Sequence, residues 1–98
     1  MPSSVKIPCP ELQNKFNRNE GGYPARIADL RAECVYDRPA HPRSGQPLGT
    51  KSKVYKYYDG HTVVMCVQFF VLPSGKFGAS GKMDPKRLLV GDTYYFCS

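Results

Sequence analysis

Lys53-Val54-Tyr55-Lys56-Tyr57-Tyr58-Asp59-Gly60-His61-Thr62-Val63-Val64-Met65-Cys66-Val67-Gln68-Phe69-Phe70-Val71-Leu72 is the stretch that decides the fold. Two runs of β-branched and aromatic residues flank Asp59-Gly60, a two-residue connection suited to tight hairpins because both positions tolerate positive φ. The run at 61–72 is apolar on both alternating sides, with Val63, Met65, Val67, Phe69 and Val71 on one and Val64, Cys66, Phe70 and Leu72 on the other. That pattern predicts a central strand covered on both faces.

Working outward, Pro73-Ser74-Gly75 ends this strand, and residues 86–90 and 93–97 flank Gly91-Asp92 as a second hairpin. Residues 24–36 carry two patterns. Ile27, Leu30 and Cys34 recur at helical spacing behind Pro24, while Ala28, Leu30, Ala32, Cys34 and Tyr36 alternate as in a strand. The helix-forming content of Ala, Arg, Glu and Leu favours a helix to about Glu33, then extended chain. Pro39, Pro42, Pro47, Gly45 and Gly49 make 38–50 a loop. Pro2, Pro8, Pro10 and Gly21-Gly22 make 1–22 an irregular N-terminal arm, with a helical turn around 11–17 as an option. The expected class is α+β: one domain over 1–98, a small antiparallel meander of about four strands in the β-rich half at 51–98, and one short helix packed on it.

The 98 residues allow one core. Hydrophobic content of 41% and charged content of 22% are those of a globular chain. No run approaches the roughly 20 apolar residues of a membrane span, so no membrane partner is expected. The N-terminus lacks the apolar region of a signal peptide, which points to the cytoplasm and to reduced thiols at Cys9, Cys34, Cys66 and Cys97.

The formal net charge is +6, and residues 51–98 carry seven Lys and Arg against three acidic residues. Such a surface attracts polyanions or acidic proteins. Lys51, Lys53, Tyr55, Lys56 and Tyr57 interleave bases with aromatics in a strand, a pattern that holds phosphates and stacks nucleobases. Lys51, Lys53, Tyr55 and Tyr57 share one side of that strand; Val54, Lys56 and Tyr58 share the other. Lys76, Lys82, Lys86 and Arg87 lie in or beside a stretch with glycines at 75, 78 and 81, where backbone N–H groups converge on anions. Tyr is equally a good strand former and Lys a common guard of sheet edges.

The cysteines are separated by 24, 31 and 30 residues, without the local chelate that opens a structural zinc site, so no metal is expected. Lys76 and Met83 break the phosphate-loop pattern around Gly81-Lys82, so no nucleotide cofactor is expected. His41 in the loop and His61 beside a turn show no nucleophile partner in sequence, and a small ribonuclease is the weakest of the function classes.

Gly78-Ala79-Ser80-Gly81-Lys82-Met83-Asp84-Pro85-Lys86-Arg87-Leu88, followed by Gly91-Asp92-Thr93-Tyr94-Tyr95, resembles short accessory proteins of phage and prophage regions, over about a fifth of the chain. The resemblance implies a small binder that blocks a host enzyme or defence complex, and it transfers no site residue. The expected function is a non-enzymatic module that contacts nucleic acid through the basic surface. The alternative partner is an acidic or nucleic-acid-binding protein.

Overall fold

The computed structural model describes residues 2–76 and 83–97. Six strands form a single sheet: β1 (Ser3–Lys6), β2 (Arg31–Pro39), β3 (Lys51–Asp59), β4 (Thr62–Val71), β5 (Asp84–Val90) and β6 (Thr93–Phe96). Their order is β1-β6-β5-β4-β3-β2. β2 through β6 are an antiparallel meander, and β1 adds to the edge of β6 in parallel, so the sheet is mixed. One α-helix, α1 (Cys9–Asn17), packs against β5 and β6. The class is α+β.

Both expected hairpins form, and the second turns where its turn residues place it. Val90 pairs Thr93 across Gly91-Asp92, and Gly91 has a φ of 61° that a side chain would disfavour. The first hairpin turns one residue later than its sequence indicates. Asp59 pairs Thr62, leaving Gly60-His61 as the turn. A bulge between Tyr57 and Tyr58 places the extra residue in β4, which shifts the local register. A second bulge in β5 lets buried Pro85 sit in the ladder beside Val67.

Four expectations are corrected. There are six strands rather than about four. The 1–22 arm holds β1 and α1; Pro8 precedes the helix and Pro10 lies in its first turn, where a missing N–H costs nothing. Residues 24–33 are not the packed helix. Pro24–Asp29 is a 3-10 turn, and the chain enters β2 at Arg31, where the edge of β3 offers a hydrogen-bonding ladder interrupted by one bulge between Cys34 and Tyr36. Propensity yields to that pairing. The loop begins after Pro39, and Pro42–Ser44 within it forms another 3-10 turn.

The core lies between the sheet and α1. Leu12 is fully buried, as are Met65, Val67 and Leu88. Tyr55 meets Phe69 edge to face, ring centroids 5.9 Å apart. Phe16 of α1 and Ile27 of the 3-10 turn line one hollow with Met83, so both segments cover the same face. Gly21 carries the chain out of α1 with a φ of 82°, so close to the Leu89 carbonyl that a Cβ would collide with it.

The expectation of four reduced thiols is also corrected. Cys9 and Cys97 form a disulfide that joins the start of α1 to the chain just past β6. The pairing follows from the β1–β6 ladder, which brings residues near the two ends of the chain side by side. Cys34 and Cys66 are free.

Candidate functional site

Cross-strand partners lie on the same face of a sheet, so register assigns every paired strand residue to a side. Val35, Val64 and Lys86, the extra residues of three bulges, have no partner, and Lys86 is placed by the hollow it lines with Cys66 and Arg87. The side beneath α1 is the covered face. On the other side, one row crosses all six strands as Lys6, Phe96, Arg87, Cys66, Lys56 and Glu33. Flanking rows add Tyr94 and Leu89 toward one end and Gln68, Val54 and Tyr36 toward the other. Among the described residues no helix lies across this open face, and Val54, Lys56, Cys66, Gln68, Phe70, Arg87, Tyr94 and Phe96 are all half-buried.

Three guanidinium groups lie over tyrosine rings of this face. Arg31 sits 4.0 Å above the Tyr58 centroid, Arg87 4.7 Å above Tyr94, and Arg38 5.7 Å above Tyr36. Each pair forms because the strands set the cation and the ring in neighbouring positions of one face. Hydrogen bonds fix the rings further: the Tyr94 hydroxyl donates to the Val63 carbonyl at 2.7 Å, and the Tyr58 hydroxyl to Glu33 Oε1 at 3.4 Å. Gln68 Nε2 donates to Ser52 Oγ at 2.7 Å, which satisfies a buried serine.

Lys6, Arg31, Arg38, Lys56, Lys86 and Arg87 face Glu33 and Asp84, so the charge is strongly positive. Lys86 Nζ pairs with Asp84 Oδ2 at 3.0 Å. Among the described residues Lys6 and Lys56 make no ion pair. Burial pushes the Cys66 thiol above its ordinary value, against the opposing pull of Arg87 and Lys56. The thiol is therefore neutral at pH 7 and adds no negative charge to the face.

The nine residues singled out in sequence are divided by this geometry. Lys56, Lys86 and Arg87 come together on the open face. Lys51, Lys53, Tyr55 and Tyr57 lie on the opposite side. There Asp37 carboxylate oxygens hold Lys51 and Lys53 at 3.8 and 3.6 Å. Tyr57 is only 9% exposed, and burial pushes its phenol pKa up; its ring is closed to a stacking base. Lys76 is exposed in the turn after β4, and Lys82 lies outside the described residues. Sequence reasoning missed Lys6, Arg31, Arg38, Tyr36 and Phe96. The strand alternation at 28–36 held Arg31 and Tyr36 but set them on opposite sides, which the bulge between Cys34 and Tyr36 reverses, and Arg38 fell in the expected loop. Nothing in Ser3-Ser4-Val5-Lys6 signalled β1.

His41 Nδ1 accepts from the Arg43 backbone N–H at 3.1 Å, capping the 3-10 turn, and His61 sits exposed in the hairpin turn. Among the described residues no three His, Cys, Asp or Glu side chains gather as a metal site. No helix among them is long and apolar enough to cross a membrane. Comparison of the chain with protein-family models, with curated proteins and with solved structures found no match.

Proposed function

We propose that the protein is a non-enzymatic module that binds single-stranded nucleic acid across the open face of its sheet. One observation carries this reading: three tyrosines with guanidinium groups laid over them share an uncovered face with Phe96, Lys6 and Lys56. Cations at strand spacing attract the phosphate chain, and half-exposed rings between them offer stacking surface to splayed bases. A duplex keeps its bases stacked inside and would leave those rings unused. The contacts are sequence-tolerant, because every base has a flat face.

Fluorescence anisotropy of labelled single- and double-stranded DNA and RNA, titrated at several salt concentrations, tests the reading. Single strands bind more tightly than duplexes, and log K falls linearly with log salt at roughly 0.7 per phosphate engaged. No binding at low salt overturns the proposal. A protein-partner reading has its own observation in Leu48, which is 100% exposed beside a hollow walled by Pro39, Pro42 and Pro47. Single exposed leucines are common on protein surfaces, so the charge-matched sheet face carries the assignment.

A further inference from the structure

Resting on that reading, we infer that the hollow formed by Ser4, Cys66, Lys86, Arg87 and Phe96 is a subsite for one nucleotide, its phosphate on Arg87 and Lys86 and its base on Phe96. The hollow has a volume of about 440 Å³ and is walled by β1, β4, β5, β6 and the Cys97 that follows. That is enough for a nucleotide-sized ligand.

Arg87 is the centre of the argument. In register it stands between Phe96 on β6 and Cys66 on β4. Its Nε is shielded from solvent and has no acceptor. That atom is out of a ligand's reach, so contact with a phosphate falls to the terminal nitrogens of the guanidinium. The guanidinium plane is already steadied over the Tyr94 ring, so its fork is set before a ligand arrives. Planar forks suit bidentate contact with phosphate.

The surroundings complement that centre. Lys86 adds a second cation, held by Asp84, and its partner carboxylate keeps the ammonium beside the hollow. Cys66 at the wall is a neutral thiol, and Ser4 offers a hydroxyl. Phe96 supplies a half-buried ring next to the guanidinium, the separation expected when one nucleotide places its base and its phosphate on adjacent strands. No side-chain amide lines this hollow, so it discriminates poorly between bases.

The test uses two readouts. In an amide chemical-shift titration of the wild-type protein, uridine 5′-monophosphate at millimolar concentration shifts Ser4, Cys66, Arg87 and Phe96 first, and uridine without phosphate does so far more weakly. In anisotropy with a single-stranded decamer, Arg87→Lys and Phe96→Leu each weaken binding about tenfold, while Lys51→Gln on the covered face leaves it within twofold. Shifts confined to other residues, or none, overturn the subsite. Loss of no more than twofold in both variants, with a wild type that binds the decamer, overturns it while the open-face reading stands. A wild type that binds no decamer sinks the open-face reading instead, and the nucleotide titration then decides the hollow alone.

Discussion

On the covered face, β4 and β5 send Met65, Val67 and Leu88 beneath α1, fully shut off from water. On the open face the same two strands send Cys66, Gln68 and Arg87, all half-buried, beside Leu89, which is 7% exposed. The backbone is shared, so the difference lies wholly in side chains and in what was laid over each side. The covered face gains from removing apolar area from water, about 25 cal/mol per Å². The open face gains from pairing each cation with a ring or leaving it free for an anion. Among the described residues one nine-residue α-helix covers one side of the six strands, and Lys6, Lys56 and Arg87 lie on the other.

The largest effect that would test this contrast is loss of the tether that holds α1 down. Cys9→Ser opens the loop between residues 88 apart in sequence, and lowers unfolding free energy by roughly 4 kcal/mol by chain-entropy reasoning. Urea unfolding without reductant measures it, and an unchanged midpoint would mean that the bond does not constrain the unfolded chain. Next is a paired truncation. Leu12→Ala costs about 3 kcal/mol as a cavity in a sealed core, whereas Phe96→Ala on the half-exposed side costs about 1 kcal/mol. Equal losses would erase the distinction between the faces.

Smaller again, Tyr94→Phe removes the 2.7 Å hydrogen bond to the Val63 carbonyl and costs about 1 kcal/mol in the same unfolding assay. The finest discrimination is chemical. Burial both raises the Cys66 pKa and screens its sulfur, so at pH 8 a thiol reagent labels the exposed Cys34 first and Cys66 severalfold more slowly. Raising the pH narrows the gap as the Cys66 thiol ionises. Labelling of both at one rate would show that the open face is looser than the packing of Cys66 implies.

What was legible in the sequence follows from how local each signal is. The hairpin across Gly91-Asp92 and the β3–β4 pair were readable because turn residues and alternating runs sit side by side in the chain. β1 was not, since four exposed residues become a strand only by meeting β6 some ninety positions away. Residues 24–36 have helix-forming composition and strand alternation at once, and only the free edge of β3 resolves 31–36 as strand. The disulfide was hidden for the same reason as β1, and an argument from compartment pointed away from it. In the candidate site, Lys56, Lys86 and Arg87 were visible as basic residues in strands. Alternation also separated Lys56 from Lys51, Lys53, Tyr55 and Tyr57. It could not say which side the helix would cover, and that alone put Tyr57 in the core.

The Cys9–Cys97 bond has a mechanical consequence. Tension applied to the chain outside these two residues crosses from one sulfur to the other, and the residues between them carry none of it. What remains under load is the short run before Cys9, where β1 lies alongside β6 in the same direction, flanked by the Ser3 N–H to Asp92 carbonyl and Ile7 N–H to Phe96 carbonyl hydrogen bonds. Strands so oriented are pulled past each other lengthwise, with the rungs between them strained together instead of unzipping in turn. A protein threaded into a pore or an unfolding machine from its N-terminal side would therefore stall at Cys9 until the sulfurs are reduced.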